Sequence, residues 1–181
     1  MTSIVFIGIG SNIEPEKNIT AAIQLMIKEL QILQISNFYK SKAVGDFQQP
    51  AFINGVVKIT TDLQAKNLKF DVLRKIESQL GRKRTSDKYA PRTIDLDILV
   101  YDECIINESD LLIPDPEINK RPFIAIPVFE VDPELIIPRT DIHISEIARE
   151  MTGYPMQRLD GFTSLLRSEL EIESQESRTP D

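Results

Sequence analysis

The sequence predicts an α+β fold in which helices pack on both faces of a mostly antiparallel sheet, giving three layers. Short β-branched and apolar runs alternate with longer segments whose apolar residues recur at helical spacing, in the order strand, helix, strand, strand, helix, strand. This order is the split βαβ pattern of ferredoxin-like folds. The chain has 181 residues, 41% of them hydrophobic, which is enough for one domain with a buried core.

The first half of the chain predicts three strands and one helix. Residues 3–8 (SIVFIG) form the first strand, and the glycines then predict a tight turn at residues 8–12. A helix follows at about residues 15–31, because a proline suits its first turn and apolar residues recur behind it. Residues 35–44 and 52–61 (FINGVVKITT) predict two further strands, which the intervening loop joins as a long hairpin.

The second half predicts another helix at residues 68–80, which ends at Gly81 because glycine readily adopts the left-handed conformation after a helix. Shorter elements follow at residues 93–101 (a strand), 105–106 (a short edge strand), 122–129 (a helix) and 141–151 (a helix). Residues 167–181 carry five acids and two arginines, so we expect this stretch to be partly helical and disordered at its end. We therefore divide the chain into one domain at residues 1–160 and an acidic tail at residues 161–181.

A basic segment precedes the predicted strand at residues 93–101 and is the most informative part of the chain. Five cations stand against one acid between residues 82 and 92, although the whole chain has a net charge of −7. Asp95 and Asp97 follow in the strand, and because successive strand side chains alternate, both carboxylates lie on one face, roughly 7 Å apart. Carboxylate oxygens bind Mg²⁺, and arginines bind phosphate oxygens. The segment therefore predicts a site for a polyphosphate that carries Mg²⁺.

Composition excludes several classes of site. One cysteine permits neither an internal disulfide nor a cysteine-based metal site, and the single His143 lies far from every other signal, so we expect no catalytic triad and no zinc site. The G-x-G-x-x-G fingerprint lacks its third glycine after Gly8 and Gly10, and no P-loop motif occurs. The net charge opposes general nucleic-acid binding. No apolar run approaches the roughly 18 residues of a membrane span, so the sequence predicts a cytoplasmic protein.

Four motifs occur in an order that resembles one enzyme family. They are FIGIGSN at residues 6–12, QPAFIN at 49–54, GR followed by PRTIDLD at 81–97, and P, RPF and P within 114–127. Over about residues 3–150 the chain is similar to the 6-hydroxymethyl-7,8-dihydropterin pyrophosphokinases of folate biosynthesis, and the string PRTIDLD is highly specific to that family. The resemblance implies an enzyme that transfers pyrophosphate from ATP to the hydroxymethyl group of the pterin and releases AMP.

The resemblance also implies roles for individual residues. Asp95 and Asp97 would bind two Mg²⁺ ions that bridge the ATP phosphates. Arg82 and Arg92 would be catalytic arginines of a mobile loop that reach the transferring group. Asn54 would hydrogen-bond the pterin. The other pterin contacts would be Ser41 and Val44, which line the slot, and Phe52 and Phe123, which stack on the two faces of the ring. The nucleotide contacts would be Glu77, Arg84, Ile98, Leu111 and Arg121.

Four positions depart from the pattern of that family. Asp115 stands where a histidine is usual, and Tyr89 stands where a tryptophan is common. Asp110 replaces an expected basic residue, and Arg74 replaces an expected neutral amide. An acid at position 115 should repel ATP phosphates. We expect the loss of positive charge at position 110 and its gain at position 74 to compensate in part.

Two other functions stay open on the sequence. One is a different Mg²⁺-dependent phospho- or nucleotidyltransferase on the same sheet, and kinase chemistry of that kind would form ADP instead of AMP. The other is a non-catalytic RNA-binding sheet, which the acidic composition and the missing aromatic K/R-G-F/Y motif both oppose. For the pyrophosphokinase we expect ATP and the hydroxymethyl pterin as the partners, no nucleic acid, no membrane, and a monomer.

Overall fold

The computed structural model describes residues 2–42, 49–83 and 90–176, with side chains described as far as residue 171. Within these residues, every pair of neighbouring strands is antiparallel. The strands of the main sheet are β1 (Ser3–Ser11), β2 (Gln31–Ile35), β3 (Tyr39–Ser41), β4 (Phe52–Thr61), β5 (Asp95–Tyr101) and β8 (Gln157–Arg158). Their order across the sheet is β5-β1-β4-β3-β8, and β2 pairs with the part of β4 that β3 does not cover.

Helices and one small hairpin complete the fold. The hairpin consists of β6 (Ile106–Glu108) and β7 (Leu111–Ile113). The helices are α1 (Pro15–Glu29), α2 (Ala65–Asn67), α3 (Arg74–Gln79), α4 (Pro122–Val131), α5 (Ile144–Glu150) and α6 (Asp160–Glu176). A π-helical segment (Leu68–Leu73) joins α2 to α3 as one continuous helical run, and a 3₁₀ turn (Pro116–Asn119) precedes α4.

The alternation of strand side chains builds one hydrophobic core on each face of the sheet. In β1, Val5 and Ile7 belong to the core beneath α1, α3 and α6, whereas Phe6 belongs to the core beneath α4 and α5. In β4, Val57 and Val56 divide between the two cores in the same way. Helices therefore cover both faces of an antiparallel sheet, which confirms the predicted α+β, three-layer arrangement.

The predicted turn at residues 8–12 is wrong, because β1 continues through Ser11. Gly8 and Gly10 lie inside the strand, where the absence of a side chain lets neighbours approach closely. A Cβ atom at Gly10 would lie 2.7 Å from Oδ1 of Asn54, and one at Gly8 would lie 3.2 Å from Cδ2 of Leu99. These glycines therefore make space above the sheet and do not end the strand.

Two further strand segments are arranged differently from the prediction. The single strand predicted at residues 35–44 is interrupted, because β2 ends at Ile35 and β3 begins at Tyr39, and residue 44 lies outside the described residues. At the interruption, a side chain enters the hydrogen bonding with β4: the hydroxyl oxygen of Ser36 accepts a hydrogen bond from the N–H of Val56 at 2.8 Å. Of the edge segment predicted at residues 105–106, only Ile106 lies in a strand, and that strand, β6, pairs with β7 in a separate two-stranded sheet and not at the edge of the main sheet.

The C-terminal segment forms a long helix, in agreement with the expected partial helicity. In α6, Leu166 is fully buried, and the ring of Phe162 packs edge-on against Phe38 with 5.8 Å between the ring centroids. Residues 177–181, for which disorder is predicted, lie outside the described residues. Among the helices of the described chain, none combines the length and the apolar character that a membrane crossing requires.

Candidate active site

A cavity of about 550 Å³ lies on the face of the sheet that carries α4. Strands β1, β4 and β5 form its floor, and the β6–β7 turn, the 3₁₀ turn and the start of α4 form its wall. Most of the residues singled out in the sequence line it: Ser41, Phe52, Asn54, Arg92, Asp95, Asp97, Ile98, Leu111, Arg121 and Phe123. Glu77 and Arg82 lie next to the lining residue Asp95 but do not line the cavity themselves. Val44, Arg84 and Tyr89 lie outside the described residues.

Asp95 is held by two arginines at the start of β5. Nη1 of Arg82 donates to one carboxylate oxygen of Asp95, and Nη1 of Arg92 donates to the other. Burial favours the neutral carboxyl, but the two guanidinium groups outweigh it and lower the pKa of Asp95. Asp95 therefore stays ionised, and the two predicted catalytic arginines converge on it.

Asp97 lines the cavity, and its ionised form is less favoured than that of Asp95. Desolvation at the floor of the cavity, together with the like charge of Asp95, raises the pKa of Asp97 to about 6. One cation opposes this rise, because Nζ of Lys69 donates to Oδ1 of Asp97 at 2.6 Å. Repulsion between two carboxylates on one face of β5 is relieved by any cation that binds between them, which is what a divalent ion would do.

Glu77 holds the guanidinium group of Arg82 in position. Its side chain is 2% exposed, and its Oε1 accepts hydrogen bonds from Nη1 of Arg82 at 2.5 Å and from the N–H of Leu96 at 2.9 Å. The carboxylate is thus shared between a backbone group of β5 and the guanidinium. Glu77 therefore links α3 to the strand that carries both aspartates.

Ser11 and Asn12, at the end of β1, form hydrogen bonds with the segment that leads into β5. Oδ1 of Asn12 accepts a hydrogen bond from the N–H of Arg92 at 2.8 Å, and the N–H of Asn12 donates to the carbonyl of Arg92 at 3.2 Å. The hydroxyl of Ser11 donates to the carbonyl of Thr93 at 2.6 Å. These bonds orient Arg92. The pair belongs to the motif at residues 6–12, but the sequence does not reveal its role, because its partners lie about eighty residues away.

The cavity also offers buried hydrogen-bonding groups and aromatic side chains. Nδ2 of Asn54 and the hydroxyl of Ser41 are buried and have no hydrogen-bond partner within the described residues. Both residues line the cavity, as do Phe52 and Phe123. A buried polar group without a partner costs free energy, so such groups mark a place where a polar ligand fits. Aromatic faces with two unused polar groups suit a flat heterocycle.

Two of the four departures meet at the wall of the cavity. Nη2 of Arg74 lies 3.8 Å from Oδ2 of Asp110, and its guanidinium carbon lies 4.2 Å from the ring centroid of Phe70. Asp110 lines the cavity, whereas Arg74 is not among the residues that line it. The added cation thus lies beside the added acid, which is the geometry that partial compensation of their charges requires.

Asp115 also lines the cavity, at the start of the 3₁₀ turn. Burial raises the pKa of Asp115, while its hydrogen bond from the N–H of Glu117, 2.8 Å long, acts in the opposite direction. The carboxylate caps the turn, so an acid at this position has a structural function. Beside it, Nε of Arg121 donates to Oε2 of Glu117 at 2.7 Å.

Lys69 and Glu117 line the cavity but were not singled out in the sequence. Lys69 lies among apolar residues at helical spacing, a setting in which a lysine is usually solvated. The only sequence signal that could have drawn attention to it is the apolar environment on both sides, Leu68 and Phe70.

Comparison with known proteins gives a consistent family. A family model described as 7,8-dihydro-6-hydroxymethylpterin-pyrophosphokinase (HPPK) matches residues 6–133. The chain is 35% identical over 158 residues to the 2-amino-4-hydroxy-6-hydroxymethyldihydropteridine pyrophosphokinase of Haemophilus influenzae, covering 86% of this chain and 97% of that protein. The enzyme with the same name from Aquifex aeolicus is 36% identical over 152 residues, covering 83% and 94%.

Longer proteins contain a similar region. The chain is 37% identical over 155 residues to the folic acid synthesis protein fol1 of Pneumocystis carinii, but it spans only 21% of that protein. Among solved structures, Plasmodium falciparum HPPK-DHPS with pteroate superposes with a TM-score of 0.66 at 13% identity, covering 83% of this chain and 42% of that chain. At this identity the superposition shows a shared fold.

Proposed function

Because the chain belongs to the 7,8-dihydro-6-hydroxymethylpterin-pyrophosphokinase family, we propose that it acts in folate synthesis by transferring pyrophosphate from ATP to 6-hydroxymethyl-7,8-dihydropterin, with release of AMP. One structural observation carries the proposal. A single cavity joins the carboxylate face of β5 to the buried, unpaired polar atoms of Asn54 and Ser41. A polyphosphate site and a site for a flat polar ring thus lie side by side.

Asp95 and Asp97 would hold Mg²⁺, and we propose two ions. The two residues fit a hard cation, because both offer carboxylate oxygens on one face of β5, where burial and then the like charge of Asp95 raise the pKa of Asp97. Bound Mg²⁺ supplies charge neutralisation on the phosphate oxygens during transfer.

The pterin would bind at the end of the cavity formed by β3, β4 and α4. Asn54 would hydrogen-bond the ring through its unused amide, and the hydroxyl of Ser41 would contribute a second polar contact. Phe52 and Phe123 would stack on the two ring faces, and Val44 would complete the slot. The desolvated amide favours a substrate with a matching acceptor, because an unpaired group in the complex would cost binding free energy.

The transfer itself requires positioning and charge stabilisation more than a strong base. The hydroxyl oxygen of the pterin attacks the β-phosphorus and its proton passes to solvent, while the bond from the β-phosphorus to the oxygen that bridges it to the α-phosphorus breaks, so that AMP leaves with that oxygen. Arg82 and Arg92 would leave Asp95 and contact the transferring group, with Glu77 guiding Arg82. Contacts to the remainder of the nucleotide would come from Arg84, Ile98, Leu111 and Arg121.

The identity of the adenosine product tests this proposal. The protein is incubated with ATP, Mg²⁺ and the hydroxymethyl pterin, and nucleotides are separated by chromatography. We expect AMP and a pterin diphosphate in equal amounts, with neither formed when the pterin is omitted or Mg²⁺ is chelated. Pterin-dependent formation of ADP would instead favour the alternative phosphotransferase.

A further inference from the structure

Lys69 is a buried cation at the phosphate end of the cavity to which the proposed reaction assigns no role. Its side chain is 7% exposed, and its Nζ donates to Oδ1 of Asp97 at 2.6 Å and to the carbonyl of Leu96 at 2.8 Å. It also lines the cavity. The residue belongs to the π-helical segment, a distortion that often occurs at functional positions in helices.

A structural role explains one of the two hydrogen bonds. Strand β5 lies at the end of the described sheet, so the outward N–H and carbonyl of Leu96 have no strand partner there. Glu77 satisfies the N–H and Lys69 satisfies the carbonyl. A neutral donor would serve the carbonyl equally well. The carbonyl therefore does not account for a positive charge placed against Asp97.

The balance of charged residues around the cavity suggests a role for the ammonium of Lys69. Among the described residues of the lining, five are acids and four are cations, although the proposed substrate is a polyanion. The acids are Asp95, Asp97, Asp110, Asp115 and Glu117, and the cations are Lys42, Lys69, Arg92 and Arg121. Asp97 is paired with Lys69, and Asp95 is paired with Arg82 and Arg92. A divalent ion that reached either carboxylate would meet a positive charge already in contact with it.

We propose that Lys69 exchanges partners when the nucleotide binds. Without nucleotide, its ammonium neutralises Asp97 and opposes the binding of free Mg²⁺. When ATP enters with Mg²⁺, the ammonium keeps its bond to the carbonyl of Leu96 and moves from Asp97 to a phosphate oxygen, which leaves Asp97 to the ion. An ammonium has three N–H donors, so both bonds can be made at once.

This exchange, which rests on the proposed function, couples the two ligands. Mg²⁺ alone binds weakly because it must displace Lys69, whereas Mg²⁺ and nucleotide together give the ammonium a new partner. Each ligand therefore raises the affinity for the other by the same factor. Lys69 is in this sense a positioning residue that selects the metal–nucleotide complex over the free ion.

Binding measurements on the full chain test the exchange without reference to turnover. Calorimetric titrations are carried out with Mg²⁺ alone, and with an α,β-methylene analogue of ATP in saturating Mg²⁺, because the analogue resists cleavage at the bond that the reaction breaks. We expect Lys69→Met to bind Mg²⁺ alone about fivefold more tightly, and the analogue about tenfold more weakly, than the unmodified chain. A residue that only supports the fold would not change the two affinities in opposite directions.

Two further variants make the test specific. Lys66→Met removes a cation from the same helical run, but Lys66 is exposed and pairs with Glu108 at 2.8 Å outside the cavity, so we expect both affinities to stay unchanged. Lys69→Gln keeps a donor for the carbonyl of Leu96 while removing the charge, and it should reproduce the opposite shifts. This variant decides the question if Lys69→Met does not fold, which circular dichroism establishes.

The outcomes separate this proposal from the proposed function. If the unmodified chain binds no analogue, both proposals are wrong. If it binds the analogue, but the Lys69 variants match it or weaken both affinities together, the exchange is wrong and the proposed function is retained. Tighter binding of both ligands by the variants would also overturn the exchange, because Lys69 would then only repel the ion.

Discussion

Asp97 is the residue whose loss we expect to affect turnover most. Asp97→Asn keeps the shape of the side chain but removes the charge that would hold Mg²⁺, so we expect the rate of AMP formation to fall by about 100-fold or more. Steady-state rates across a Mg²⁺ titration measure the effect. Asp102→Asn is the matched control. Asp102 directly follows β5, and an asparagine at this position keeps the oxygen that accepts a hydrogen bond from the N–H of Ile4. Unchanged activity in Asp97→Asn would contradict the proposed metal site.

Gly10 controls the position of Asn54, and through it the proposed pterin contact. In Gly10→Ala, the new methyl group would lie 2.7 Å from Oδ1 of Asn54 and would push the amide away. We expect KM for the pterin to rise about tenfold, roughly the free energy of one lost hydrogen bond, while KM for ATP changes little.

Gly161→Ala provides the comparison for this glycine. A Cβ atom there meets nothing within 4 Å, and the residue lies in α6, where alanine is favourable. Both Michaelis constants should stay at their original values in this variant. Equal increases in the two constants for Gly10→Ala would mean that the methyl group distorts the sheet instead of moving one amide.

At the scale of elements, α6 completes the core although it belongs to the predicted acidic tail. Leu166 is fully buried, while its neighbour Leu165 is 51% exposed on the same helix. We expect Leu166→Ala to lower the free energy of unfolding by about 2–5 kcal/mol, and Leu165→Ala to change it by less than about 0.5 kcal/mol. Urea denaturation measures both variants, and similar losses for the two would contradict the described packing of α6.

The elements that the sequence predicted best are those whose pattern is local. Strand β4 has the predicted bounds because its β-branched residues form an uninterrupted run between turn residues. At the break between β2 and β3, Val56 donates a hydrogen bond to the side chain of Ser36, and β1 continues through Gly10 in register with Asn54 of β4. Such contacts join residues far apart in the chain, so the local pattern does not indicate them.

The candidate site was predictable to a similar extent. The alternation of strand side chains predicts that Asp95 and Asp97 share a face, and both line the cavity. Lys69 was missed because it reaches the cavity from a π-helical segment, whose geometry the helical spacing of apolar residues does not reveal. The roles of all the site residues, including Val44 and Arg84, and the division into residues 1–160 and a tail, stay predictions.

At the scale of the whole molecule, the family inferred from four motifs is confirmed by the match over residues 6–133. The fold is confirmed as well, because the sheet is antiparallel with helices on both faces and superposes on a solved HPPK-DHPS structure. What the resemblance could not supply is the balance of charge around the cavity. The departures of charged positions from the pattern of the family stay predictions.

The pair formed by Arg74 and Asp110 tests whether these changes compensate. We expect Asp110→Asn to lower KM for ATP and Arg74→Gln to raise it, each by about two- to threefold, because exposed ion pairs are weak. Asp110→Asn should have a larger effect when Arg74 is already replaced, since the acid then lacks the guanidinium beside it. Kinetics of the two single variants and the double variant measure this coupling, which should shrink at high salt. Equal effects of Asp110→Asn in both backgrounds would mean that the pair does not compensate.

The contacts at Leu96 also affect how separate copies of the chain meet. An exposed strand at the border of a sheet can recruit a strand from another molecule, which is a common start of aggregation. At Leu96 both backbone groups are already occupied by Glu77 and Lys69. An incoming strand would find neither group available there, so the side chains that organise the site also hinder the addition of a foreign strand at this point of β5.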